Sequence, residues 1–247
     1  MMSDSSSRQF ALLVFPLLVS SPALIAAGSP PPEVQPAAAS PAIVIGFMGG
    51  FVGHDNAIHY EVRLATNLRK AFGSGLDVRV FENRRGSQAH REVLRILDVD
   101  RNGVLSAVEK SKARIVIYGH SWGASEVVTL ARSLARDGIP VALTVQVDSV
   151  QKLGENDASI PANVMQAANF YQLDGLLHGR SEIRADDASR TEILGNYQFK
   201  YKSRSVNCDG YPWYARVFMK PHIEIESDPV VWGRVETLIR LKLAASP

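Results

Sequence analysis

A serine between two glycines is the first residue in this chain whose setting suggests chemistry. Gly119-His120-Ser121-Trp122-Gly123 fits G-x-S-x-G, after the apolar run Arg114 to Tyr118 (RIVIY) and before the helix-forming stretch ASEVVTLARSLA. A tight strand-to-helix turn there presents the hydroxyl at a sheet edge, and the helix N-terminus beside it favours developing negative charge. A serine hydroxyl is a weak nucleophile without a base, and the base needs an orienting acid. The histidines are His54, His59, His90, His120, His178 and His222. His59 and His90 fall inside predicted helices, and His120 sits within the turn itself. His222, in MKPHIEIES, is expected in a loop before the last helix, late in the chain, in the order nucleophile, acid, histidine. His178 is its rival. For the acid, Asp148 closes the apolar run Val141 to Val147 (VALTVQV), where a charge is costly unless used. Asp174, after NFYQL, is the alternative. The set would support acyl transfer through a covalent intermediate.

A second constellation lies just upstream. Residues 98–109 fit D-x-[DN]-x-[DN]-G-x5-E at every constrained position and resemble an EF-hand loop. Asp98, Asp100 and Asn102 offer side-chain oxygens, Val104 a backbone carbonyl, Ser106 a direct or water-mediated contact, and Glu109 a bidentate carboxylate. Gly103 permits the sharp turn, and Leu105 fills the usually apolar eighth position. Helical sequence enters (SQAHREVLRIL) and leaves (SAVEKSKA). The expectation is a structural Ca2+ that fastens the helix ahead of the serine-bearing strand. No second copy is visible, which argues for modest affinity.

Strands and helices must position these residues, and the hydropathy pattern supplies them. Ile43-Val44-Ile45 reads as a buried strand running into the Gly-rich stretch GFMGGFVG. Ile58, Val62, Ala65, Leu68 and Phe72 recur at helical spacing, with Asp55 or Asn56 as cap and Gly73 as stop. Leu76 to Phe81 is a second strand, Ser87 opens a helix, and RIVIY is the third strand. A third helix through Ala124, Val127, Val128, Ala131 and Leu134 stops at Gly138, and VALTVQV is the fourth strand. Further extended pieces are expected at Val164 to Tyr171 and Thr191 to Tyr201. Asp228 and Pro229 open a last helix with Trp232, Val235 and Ile239 on one face. The alternation predicts an α/β domain, a parallel sheet with helices on both faces and sites at the carboxyl ends of its strands.

From Ile43 onward the chain resembles the α/β-hydrolase fold, as a compact lipase- or esterase-like member without a large lid insertion, and GHSWG carries most of that resemblance. The loop GFMGGF at 46–51 is similar to the family's oxyanion loop, with Ile45-Gly46 where a His-Gly pair is usual. The resemblance implies oxyanion donors at the backbone N–H of Trp122 and of Phe47 or Met48, and an ester substrate, small or lipid. It implies no organic cofactor. Thioesterase, amidase and acyltransferase chemistry use the same triad, and a catalytically silent calcium-binding scaffold or adhesion protein is the reading from another class.

The 247 residues, 46% hydrophobic with a net charge of +2, suit one globular core and exclude a disordered chain. So small a basic excess gives no case for nucleic acid. The single cysteine, Cys208, excludes an intrachain disulfide. Phe10 to Ala27 resembles a secretory signal peptide within a leader at 1–27, so the expected destination is secreted or periplasmic; an uncleaved membrane anchor is the alternative. A Pro/Ala-rich tether at 28–41 precedes a domain over 42–247. Arg84-Arg85 is expected as solvated loop, and Trp213 and Tyr214 as core aromatics that could instead line an acyl pocket.

Overall fold

A computed structural model describes residues 41–244; the leader at 1–27 and the tether, apart from its last residue Pro41, lie outside the described residues. The first strand, β1 (Ala42–Met48), shows how the sequence builds the rest. Its side chains alternate across the sheet: Val44 and Met48 pack with one core, Ile43, Ile45 and Phe47 with the other. Apolar residues at both parities place this strand in the sheet interior, with both faces covered.

The order along the chain is β1, α1 (Tyr60–Phe72), β2 (Asp77–Glu82), α2 (Gly86–Leu97), α3 (Ala107–Ser111), β3 (Arg114–His120) and α4 (Trp122–Arg136). Then follow β4 (Val141–Val147), β5 (Ser159–Ile160), β6 (Val164–Tyr171), β7 (Arg184–Ala185), β8 (Glu192–Gln198), α5 (Trp213–Phe218), α6 (Lys220–Ser227) and α7 (Pro229–Ala244). Six strands form one sheet in the order β2-β1-β3-β4-β6-β8, every neighbouring pair parallel. This is the helix-covered sheet expected of an α/β-hydrolase. β5 and β7 make a separate two-stranded ribbon.

One core joins α1 (Val62, Leu64, Ala65, Leu68) and α7 (Trp232, Val235, Ile239, Leu243) to Val44, Val116, Tyr118, Val145 and Val147 of the sheet. The opposite core joins α2 (Ala89, Val93, Leu97) and α4 (Val127, Ala131, Leu134) to Ile43, Ile45, Ile115 and Ile117. Asp228 closes the approach to α7, its Oδ1 accepting the Val230 N–H at 2.9 Å. The chain steps from β1 outward to β2 and then back across β1 to β3. Strand order therefore reverses between β1 and β3, the place where parallel sheets open a crevice at their carboxyl ends. No helix among the described residues is long and apolar enough to cross a membrane.

Two helix boundaries differ from expectation. α1 begins at Tyr60, after His59, because Asn56 spends its side chain on a turn, accepting the Ile58 N–H at 3.2 Å. Ile58 is consequently 40% exposed. The larger difference is α6, which puts His222 in the first turn of a helix rather than in a loop. The alternating HIEIES pattern does not read as helical, yet His222 through Ser227 are all buried, so no polar face was available to reveal the period.

Candidate active site

Ser121 occupies the bend between β3 and α4 at φ 56°, ψ −126°, a left-handed region that a non-glycine residue adopts only under constraint. Its N–H donates to the Val147 carbonyl at 3.0 Å, and its carbonyl accepts the Val150 N–H at 3.2 Å. The flanking glycines are required by contact. A Cβ on Gly119 would lie 2.6 Å from the Gly123 carbonyl oxygen, and one on Gly123 would lie 2.3 Å from that of Phe47.

The structure brings three of the predicted side chains into one line. The Ser121 hydroxyl donates to His222 Nε2 at 2.9 Å, and His222 Nδ1 donates to Asp148 Oδ2 at 2.7 Å. The direction follows from the acid, since a carboxylate among donors can only accept, which leaves Nε2 free to take the serine proton. Asp148 sits just past β4, wholly buried and at positive φ (45°). Its Oδ1 accepts the Gln172 N–H at 3.1 Å and the Gly179 N–H at 2.8 Å, and its Oδ2 accepts Gln172 Nε2 at 2.9 Å. With His222, four donors converge on the one carboxylate and hold it without conformational freedom.

Asp174 and His178 stand apart from this line. Asp174 Oδ2 accepts the Tyr201 N–H at 2.5 Å, and His178 is exposed, with Nδ1 donating to the Gly179 carbonyl at 3.2 Å. His90 pairs with Asp137 and His54 with Glu82, each outside the serine's surroundings. Sequence reasoning missed Gln172 and Gly179. Gln172 follows the carboxyl end of β6, the strand hydrogen-bonded to β4, so the strand-end rule would have reached it had the sheet order been known.

Ser121, His120 and His222 open into a cavity of about 530 Å3 whose walls include Gly49, Gly50, Phe51, Tyr214 and Met219. A larger cavity of about 650 Å3, beside Arg63 and Arg204, contains none of the three aligned residues. The backbone N–H of Trp122, first residue of α4, has no helical acceptor and lies beside Ser121. Phe47 and Met48 close β1, their main chain beside the bend at Gly123. Both are fully buried within β1, Phe47 opposite Gly119 and Met48 opposite Glu82, and neither reaches the cavity. The strand continues three residues further than the Gly-rich sequence suggested, to Met48. The segment facing the serine is therefore Gly49 to Phe51, with Gly49 so near that a Cβ on it would meet the Ser121 Cβ at 3.1 Å.

The aromatic pair also departs from the core reading: Trp213 and Tyr214 are 66% and 54% exposed, on α5, and Tyr214 forms part of the cavity wall. Arg84 is exposed, and Arg85 is engaged by Glu82 at 2.7 Å. Cys208 is buried beside Tyr211 and Ile223.

Burial sets the charge states around the site. His120 packs against His222 with the rings tilted by 37° and their centres 4.5 Å apart. Desolvation, with His222 and His59 nearby, pushes its imidazole well below the ordinary histidine range and keeps it neutral.

The loop at 98–109 folds back on itself. Gly103 takes φ 81°, and Asp98 accepts the N–H groups of Asn102 at 3.1 Å and Gly103 at 2.9 Å. Asp98, Asp100 and Glu109 bring one carboxylate oxygen each within 4.8 Å of one another. Ser106 caps the short helix α3 and, with its own N–H, donates to Glu109 Oε2. Val104 is exposed, while Leu105 packs on the α2–α4 core. An all-oxygen donor set of this kind fits a hard cation.

The chain matches no family model and none of the curated proteins. Among solved structures it is similar to a cutinase-like protein from Cryptococcus sp., at 12% identity over 85% of this chain and 98% of that one, TM-score 0.42. It is also similar to the RedJ thioesterase of the prodiginine pathway in Streptomyces coelicolor, at 10% identity over 87% and 98%, TM-score 0.42. A third is an esterase/lipase from an uncultured bacterium, at 13% identity over 83% and 78%, TM-score 0.43.

Proposed function

We propose that this chain is a serine hydrolase that cleaves carboxylic esters through Ser121, His222 and Asp148. The observation that carries the reading is the unbroken line from hydroxyl to imidazole to buried carboxylate, at 2.9 and 2.7 Å, with the hydroxyl facing a cavity. Ser121 Oγ attacks the acyl carbon while its proton passes to His222 Nε2. Asp148 holds the ring and offsets the imidazolium charge. The tetrahedral oxyanion is met by the Trp122 N–H and by an N–H of the Gly49–Phe51 segment, each such donor contributing about 3 kcal/mol to the transition state. The C–O bond then breaks, the alkoxide takes the proton from His222, and the acyl group stays on Ser121. Water, deprotonated by the same nitrogen, releases the acid and restores the serine.

The cavity walls favour an apolar acyl or alkyl group, since Phe51, Val52, Tyr214, Met219 and Ile223 supply them. A structural Ca2+ belongs to the same reading. Asp98, Asp100, Asn102, Val104, Ser106 and Glu109 would hold it, fixing the segment between α2 and β3 without touching substrate. The leader at 1–27 fits a secreted or periplasmic destination.

Labelling with a fluorophosphonate probe tests the hydrolase reading. The wild-type chain is expected to take the label and to cleave p-nitrophenyl esters from acetate to palmitate. Ser121→Ala is expected to lose both. A folded wild-type protein that never takes the label would overturn the reading in favour of a silent scaffold.

A further inference from the structure

Beside the catalytic histidine lies a second group of ionisable side chains that the hydrolytic reading leaves idle. His59 precedes the first turn of α1 and Glu61 lies within that turn; Glu226 sits on α6 one turn after His222, and His120 precedes Ser121 at the end of β3. All four are buried, Glu61 completely. A ring nitrogen of His59 and one carboxylate oxygen each of Glu61 and Glu226 lie within 4.8 Å of one another. His120 Nδ1 approaches Glu226 Oε2 at 3.3 Å.

What singles this group out is missing compensation. Neither oxygen of Glu61 has a hydrogen-bond partner, nor has either ring nitrogen of His120, although all four atoms are sealed from solvent. Among the described residues no lysine or arginine pairs with Glu61 or Glu226; the ionisable partners of Glu226 are His59 and His120, and the Tyr211 hydroxyl lies beside its carboxylate. Two carboxylates packed together without a cation are strongly disfavoured as ions, and buried charges are ordinarily paired or bound to metal.

We propose that His59, Glu61 and Glu226 bind one divalent transition-metal ion of the zinc class, with His120 beside them. One imidazole and two carboxylates, with water in the fourth position, form a nitrogen and oxygen set that suits zinc or cobalt and disfavours calcium and magnesium. The dipositive ion neutralises both carboxylates and takes up the idle lone pairs. It reaches the site through the serine's cavity, whose walls include His59, His120 and Glu226. Bound there, it ties the start of α1 to α6, which carries His222. Its role is positional, and the proposal does not depend on ester hydrolysis. It is also separate from the loop at 98–109, whose side-chain donors are all oxygens.

The test uses the full chain, stripped of metal by a chelator and dialysed, then titrated calorimetrically with Zn2+ and followed spectroscopically with Co2+. One Zn2+ per chain at submicromolar affinity is expected, together with the intense visible bands of four-coordinate Co2+ and a rise in Tm on adding one equivalent of Zn2+. Asp98→Asn and Ser121→Ala are expected to bind Zn2+ as the wild type does, which separates this site from both the loop and the nucleophile. Glu61→Gln and His59→Ala are expected to bind roughly 100-fold more weakly. Should those variants fail to fold, the wild-type stoichiometry and Co2+ spectrum decide the matter. Absence of stoichiometric Zn2+ uptake, weak six-coordinate Co2+ bands, or unchanged binding by folded Glu61→Gln would overturn the proposal and leave a proton shared between Glu61 and Glu226. Fluorophosphonate labelling of the stripped protein reports separately on the hydrolase reading.

Discussion

At the scale of single residues, the candidate site depends on how firmly Asp148 is held. Gln172 supplies two of its donors and also anchors the following turn, its Oε1 accepting the Asp174 N–H at 2.8 Å and the Gly175 N–H at 3.1 Å. A hydrogen bond to a charged group contributes about 1.5–3 kcal/mol. Gln172→Ala is therefore expected to lower kcat on a soluble ester by about 10- to 100-fold with little change in KM, as steady-state kinetics would record; unchanged kcat would remove Gln172 from the positioning shell. Ser121 and Asp148 were legible because local pattern alone marks them, a glycine-flanked bend and a charge ending an apolar strand. His222 was legible only by its order in the chain. Gln172, Gly179 and the group around Glu61 were not legible: their contacts cross from one strand end or helix to another, and His59 meets Glu226 across 167 positions.

At the scale of elements, the apolar periodicity carried the strands well, because buried parallel strands are apolar at both parities and short. It failed at α6, where burial on every side erased the amphipathic signal, and at the start of α1, where Asn56 serves a turn instead of the helix. The loop at 98–109 was legible as a motif, and its contribution is expected to be thermodynamic. Leu105 roots the loop in the core under α2 and α4, so fastening the loop constrains the approach to β3. Adding Ca2+ in excess to metal-free protein is expected to raise Tm by several degrees, following the mass-action stabilisation of a ligand that binds only the folded state. Glu109→Gln is expected to abolish that increment and leave fluorophosphonate labelling intact. A thermal scan in which Ca2+ moves neither protein would remove calcium from the account.

At the scale of the whole molecule, two separate apolar layers lean on one shared sheet, so neither can dissolve alone. Leu68→Ala in the layer under α1 and Leu134→Ala in the layer under α4 both delete fully buried side chains. Each is expected to cost about 2–5 kcal/mol in urea unfolding, in a single transition seen identically by fluorescence and circular dichroism. Two resolved transitions would show that the layers fold independently. The division of labour around the cavity reaches further. Ser121, Asp148 and His222 are held by strand ends and by α6, whereas Phe51, Pro212 and Tyr214, which stand in the cavity wall, belong to a connecting segment and to the outlying turn and helix before α6. If the proposed hydrolysis holds, diversifying only those wall positions would retune which molecules are admitted while the Ser121–His222–Asp148 line stays untouched, giving a scaffold in which selectivity and turnover can be evolved one at a time.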